Sequence, residues 1–392
     1  MSKFCTSERY STPQLIAAFL LLIFLAQCAW FIAHAPLNQV EGSYITSGLL
    51  MLNGSDSAGD QYRSPVVALI SAVPVKTLMK LRGTSDVDQF SLDRTRWLIR
   101  APFVLMGLLL GASLWYVARR LYGNAGGYIA LTLYVFTPGI VARSSLVGPQ
   151  IPSAWGAFGI IFTAIAVAHT LYAPREVVLW NWRRICLLGF AIAMAVGSQF
   201  ALWMLLLLAL AFMFWAVPHR RAAALVILLA AIAVGLAILF ASYLFQPSVF
   251  ISGLRHAQWL NLAPRMLLAN AYFIFRVTAI FFLRDLPAGT LMFLIAIGTY
   301  LAWPRTRFFG NTAPLVTFLL LLLVSLVTPQ GVGLTLLFVS LPFLLVFISG
   351  VFADLLESPR TTMFLGVTIG ILLSHALLSL FGLFQLTHII RR

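Results

Sequence analysis

Stretches of about 17 to 25 apolar residues recur from Leu15 to Leu386, and each is long enough to cross a hydrocarbon core of about 30 Å as a helix. The chain has 392 residues, of which 61% are apolar and 9% charged. That is well below the charge of a soluble globular domain, where about a quarter of residues are ionic. A transmembrane barrel requires short segments of alternating polarity rather than continuous Leu, Ala and Phe runs. The remaining fold class is an all-α polytopic membrane protein, in which every helix satisfies its own backbone.

The runs fall near 15–33, 98–118, 126–143, 152–172, 185–199, 201–217, 223–245, 288–303, 314–327, 332–353 and 363–386, about eleven transmembrane helices. With the N-terminus in the cytoplasm, Arg119 and Arg120, Arg175, Arg183 and Arg184, Arg220 and Arg221, and Arg305 and Arg307 all fall on the cytoplasmic side, as the positive-inside bias requires. Arg391 and Arg392 fall outside in this count, which leaves the number of crossings near the C-terminus open. The first run is too long for a signal-peptide core, so it reads as a retained helix.

The net charge of +15, from 26 Lys and Arg against 11 Asp and Glu, would suit nucleic acid if it formed a soluble stripe. The basic residues lie at the ends of the runs instead, so no nucleic-acid partner is expected, and topology and anionic phosphates explain the charge. Three cysteines imply no disulfide framework. The chain reads as one transmembrane domain, 1–392, with no separate soluble domain. Two segments on the external side exceed mere connectors: 34–99 and 246–287. In the first, Ser43–Leu52 and Pro65–Leu81 suit helices lying in the interface. In the second, Leu267–Leu283 carries Arg276 at its centre, which argues for an interfacial or re-entrant helix over a spanning one.

Several chemistries lack their residues. The only lysines, Lys3, Lys76 and Lys80, follow no glycine, so no P-loop exists. There is no HExxH, CxxC or GxSxG. Ionisable residues deep within the crossings are nearly missing, limited to His169 and His375, fewer than ion-coupled carriers use. Both histidines read as packing residues. Gly107 and Gly111 form a GxxxG spacing suited to internal helix packing.

One stretch of about 120 residues resembles the membrane glycosyltransferases of the GT-C fold, in particular the dolichyl-phosphate-mannose protein mannosyltransferase and aminoarabinose transferase group. The similarity runs through Val40-Glu41-Gly42-Ser43-Tyr44, Arg63-Ser64-Pro65-Val66, Arg100-Ala101-Pro102, Ala118-Arg119-Arg120-Leu121-Tyr122-Gly123 and Ser144-Ser145-Leu146-Val147-Gly148-Pro149-Gln150. The resemblance implies an inner-membrane enzyme with its active face external. It would transfer a sugar from a polyprenyl-phosphate donor to a glycan, lipid or protein acceptor. A carboxylate would take the acceptor's proton and cations would hold the leaving phosphate.

In the family's pattern an Asp precedes the Glu of the first external loop and a second acid lies in the later turn. Here Val40 and Gln150 occupy those places. The catalytic candidates are therefore Glu41 and Asp60, with Asp56 beside the latter. Tyr44, Arg63, Gln150, Arg255 and Arg265 are the substrate-binding candidates, and His256 lies beside Arg255. The resemblance requires no cofactor outright and is compatible with a divalent metal, for which no ligand residue is assigned. The alternative is a catalytically inactive GT-C homologue that acts as a lipid-binding or scaffold subunit beside a partner membrane protein.

Overall fold

The structure, a computed structural model, describes residues 12–53, 64–83, 95–171, 181–256, 267–280, 282, 286–302, 311–357 and 361–391. Among them lie fifteen α-helices and no strand. Each of the eleven apolar runs is helical, and six helices are long and apolar enough to cross a membrane. Three shorter apolar helices and the 17-residue Trp182–Ser198 complete the set.

Helix α1 (Thr12–His34) leads into two shorter helices, α2 (Gln39–Leu52) and α3 (Pro65–Arg82). These are the two interfacial stretches expected from the sequence, lengthened at their ends. They pack on each other where Gly48 meets Ala68 and Ala72, a crossing too close for any side chain at Gly48. Lys76 Nζ donates to Leu52 O at the end of α2 (2.6 Å). That bond answers a helix-end carbonyl that lacks an intrahelical partner.

Helix α4 (Arg96–Val135) holds two runs and reverses at Gly123 (φ 76°, ψ −171°), a backbone region that only glycine enters without strain. The two arms form an antiparallel hairpin. Tyr134 donates to Gly107 O (2.7 Å), its ring lies over Gly111, and Trp115 faces Gly127. Gly111 thus faces the returning arm, while Gly107 faces Ser144 and Phe24, so the pair serves internal packing. A short helix, α5 (Pro138–Ser144), precedes α6 (Gln150–Thr170) and α7 (Trp182–Ser198).

A 3₁₀ turn at Phe200–Trp203 opens α8 (Met204–Ala216), followed by α9 (Arg221–Ser242) and α10 (Pro247–His256). Helix α11 (Leu267–Ile280) has 14 residues and spans about 21 Å. Arg276 on it is exposed. Then follow α12 (Pro287–Ala302), α13 (Ala313–Val327), α14 (Gln330–Leu356) and α15 (Thr361–Arg391).

The most apolar stretch of α14 is wholly buried, the mark of a helix that is hydrophobic all round and enclosed by others. It packs against α4, α6, α12, α13 and α15 and forms the centre of the bundle. Following the helices end to end places α2, α3, α5, α10 and the start of α6 at one end. Arg119, Arg120, Arg183, Arg184, Arg220 and Arg221 gather at the other. Helix α15 returns to the first end, where Phe384 stacks on Trp30 (6.3 Å). The eleven-run path therefore leads Arg391 to that end.

Candidate functional site

At the end that carries α2 and α3, six elements converge on a cavity of about 290 Å³. Its polar lining comes from Tyr44 of α2, Ser64 before α3, Arg143 of α5, Gln150 of α6, Gln199 after α7 and Thr335 of α14. Asn38 and the turn Leu146–Pro149 close one side.

Local chemistry explains why these residues meet. Asn38 caps α2: its side chain accepts from Glu41 N (2.8 Å), and Glu41 Oε2 accepts from Asn38 N (3.1 Å). This is a capping box in which each residue satisfies the other's backbone. Ser64 Oγ donates to Ser198 O (2.8 Å), tying the start of α3 to the end of α7 and so to Gln199.

Glu41 is completely buried. Its Oε1 accepts from Arg100 Nε (2.9 Å) and from Val147 N (2.9 Å). Its Oε2 accepts from Arg100 Nη2 (2.6 Å) as well as from Asn38 N. Arg100, also fully buried, donates in addition to Ala35 O (2.7 Å) and Pro36 O (2.8 Å). All four acceptor sites of the carboxylate are thus occupied, and Glu41 is not part of the cavity lining. A general base must reach the proton that it removes, and in this structure the Glu41 carboxylate faces Arg100, Asn38 and Val147 instead of the cavity. The pair joins α2, α4 and the Val147–Gln150 turn, and it holds the cavity wall in place.

Arg143, which the sequence reading passed over, is the cationic side chain of the cavity among the described residues. It is open to solvent, yet protein crowds it on most sides, and that desolvation lowers its pKa. A guanidinium stays charged even so. No hydrogen bond or ion pair engages it among the described residues. An unpaired cation in a concave wall is a receptor for an anion, and its planar fork suits a phosphate. The sequence held one signal for it: an arginine between two crossings on the side opposite the basic band, in Gly139-Ile140-Val141-Ala142-Arg143.

The other candidates divide. Tyr44 and Gln150 line the cavity, and Gln150 Oε1 lies against Gly148. Arg255 is exposed on α10 and does not line it. Asp56, Asp60, Arg63 and Arg265 lie outside the described residues, as does the side chain of His256. The described lining offers no carboxylate, histidine or cysteine, and no group of three such residues able to hold a metal exists among the described residues. These residues alone do not fit a divalent ion.

Residues 90–245 match the family model described as dolichyl-phosphate-mannose-protein mannosyltransferase. A search of curated proteins returned no match. Among solved structures, ArnT from Cupriavidus metallidurans bound to undecaprenyl phosphate is similar over 97% of this chain and 77% of its own, with a TM-score of 0.59 and 12% identity. The apo oligosaccharyltransferase of Archaeoglobus fulgidus is similar over 97% of this chain and 56% of its own (TM-score 0.54, 12% identity). The same enzyme tethered to an acceptor peptide containing the NVT sequon gives 92% and 55% (TM-score 0.52, 10% identity). The chain therefore spans little more than half the length of the archaeal enzyme. Identities this low concern the fold. The structural likeness over 97% of the chain gives it the GT-C fold, in an ArnT-like form.

Proposed function

We propose that this protein is a glycosyltransferase that takes a sugar from a polyprenyl phosphate at the external face of the membrane, with Arg143 holding the phosphate. The observation that carries the reading is Arg143 itself, a cation without a partner among the described residues, in a polar cavity at the end of an apolar bundle. The similarity to ArnT, whose structure holds undecaprenyl phosphate, supports the choice of donor.

In this reading a carboxylate removes the proton of the acceptor hydroxyl, and the freed oxygen attacks the anomeric carbon. The bond from that carbon to the phosphate oxygen breaks with inversion, and the departing phosphate takes the electron pair. Arg143 offsets the charge that grows there, an interaction stronger in the transition state than before it. Gln150 and Tyr44 orient sugar hydroxyls. Asp60 supplies the carboxylate. It stands four residues before Ser64, which lines the cavity. Glu41 holds the turn and does not react.

The test is transfer from undecaprenyl-phosphate-linked sugars by the purified chain in proteoliposomes. Turnover that Asp60→Asn abolishes while polyprenyl-phosphate binding persists supports the assignment. Failure of the wild type to bind undecaprenyl phosphate sinks the reading. A second reading, a non-catalytic lipid-binding subunit, draws on Val40 and Gln150 at the acidic positions and on the saturation of Glu41. Binding without turnover for any donor, together with a stoichiometric partner protein, would select it.

A further inference from the structure

Apart from Arg143, the described polar lining of the cavity is neutral, and three of its side chains have no part in the donor chemistry above: Ser64 before α3, Gln199 after α7 and Thr335 of α14. Helix α7 ends where Ser198 gives way to Gln199, whose extended backbone (φ −148°, ψ 102°) breaks the helix before the 3₁₀ turn. Gln199 N still donates to Ala195 O (2.8 Å), and the buried Ser198 and Phe200 flank it. The break is thus fixed, and Ser64 Oγ pins it from the start of α3 by donating to Ser198 O (2.8 Å).

Gln199 is only 8% exposed, and no hydrogen bond or ion pair engages its side chain among the described residues. Burying an unanswered amide is unfavourable, so the carboxamide is left for whatever fills the cavity. The two hydroxyls of the same wall are already committed as donors. Ser64 Oγ spends its proton on Ser198 O, and Thr335 Oγ1 donates to Gly331 O (3.2 Å), one turn back in α14. Both therefore meet the cavity as acceptors, while a carboxamide both donates and accepts.

We propose that Gln199, Thr335 and Ser64 form the subsite for the donor's sugar and select an uncharged one, an inference that rests on the reading of Arg143 as the holder of the phosphate. Sugar hydroxyls donate to the two fixed oxygens and exchange hydrogen bonds in both directions with the carboxamide. A uronic acid would bring a carboxylate against two acceptor oxygens, and its charge would compete with the phosphate for Arg143. An ammonium sugar would bring a second cation into the cavity that holds Arg143, where the described lining offers it no carboxylate. Unfavourable meetings of this kind reject a wrong ligand as effectively as good contacts select the right one. A sugar that lacks the matching hydroxyl leaves buried polar groups unanswered, which is the basis of strong discrimination.

Binding to the full-length protein in nanodiscs tests the subsite, with bare undecaprenyl phosphate as the reference. The probes are the same lipid carrying mannose, glucose, galactose, glucuronic acid or 4-amino-4-deoxyarabinose, each scored as its affinity relative to the bare lipid. At least one neutral hexose should raise affinity about tenfold, and neither charged sugar should match it. Gln199→Leu and Thr335→Val should each cut that gain roughly three- to tenfold, for the loss of a neutral hydrogen bond. A change in the ratio to the bare lipid is a readout that a purely structural role would not move, and thermal midpoints report folding. No gain for any hexose, a larger gain for either charged sugar, or a hexose gain that survives in both variants overturns the subsite while leaving the phosphate reading intact. Failure of the bare lipid to bind is a different result: it removes the donor reading, and the subsite falls with it.

Discussion

Arg100 and Arg143 carry the same guanidinium into different surroundings, and the surroundings decide their work. Arg100 meets a carboxylate and two carbonyls inside the protein, whereas Arg143 meets a cavity. Glu41→Gln would leave the Arg100 charge buried without its counterion, a change that costs about 3 to 5 kcal/mol. A large drop in thermal midpoint is expected. The double variant Glu41→Leu/Arg100→Met should be less destabilised than Glu41→Gln, because no charge is stranded. If Glu41→Gln unfolds like wild type, the pair is not the latch described here. Arg143→Gln should act in the opposite way, leaving the midpoint in place. It should weaken undecaprenyl-phosphate binding by about 1.5 to 3 kcal/mol, roughly ten- to a hundredfold, for the loss of a charged hydrogen bond. Arg143→Lys should recover part of this, since it restores the charge without the fork. Unchanged binding in Arg143→Gln would remove the phosphate role.

Two elements depend on glycine for distinct reasons. At Gly123 a Cβ meets nothing within 4 Å, yet φ is +76°, so Gly123→Ala should cost about 1 to 3 kcal/mol through backbone strain alone. At Gly48 the backbone is helical and the obstacle is Ala68 across the crossing. Gly48→Ala should then part α2 from α3, with an overpacking cost of about 1 to 3 kcal/mol. Binding should suffer more than helix content, because Tyr44 and Ser64 sit on these two elements. Circular dichroism with lipid-binding titration separates the outcomes, and a Gly48→Ala variant with wild-type binding would mean that the crossing does not set the cavity. The interfacial pair was legible because Lys76, Lys80 and Pro74 interrupt the apolar pattern. Its crossing point was not, since a glycine's neighbours across a contact leave no local trace.

At the scale of the whole molecule, the basic ends and the cavity lie at opposite ends of the bundle, and the proposed function requires the cavity to face the exterior. Cysteine labelling checks this orientation. In a chain with Cys5 replaced by Ser, exposed Cys186 should react only after the membrane is permeabilised. Val40→Cys, at a residue 62% exposed, should react from outside in intact cells. The reverse pattern would turn the cavity toward the cytosol and end the external-donor reading.

Sequence alone determined that this chain is a bundle of apolar helices with a paired interfacial insertion and one basic end. Hydropathy and the cost of burying an unpaired backbone act residue by residue along the chain. It also pointed to the Val147–Gln150 turn and to Glu41 as neighbours in function, but not to the ion pair that occupies the Glu41 carboxylate. Only the tertiary structure could decide that, because the carboxylate's occupants stand 59 residues away at Arg100 and 106 away at Val147. The same holds for Arg143. Next to a crossing an arginine reads as a snorkelling side chain, and only the convergence of separate helices turns it into the positive wall of a cavity. Whether a charge is answered, stranded or offered to a ligand depends on what folding brings within a few ångströms of it.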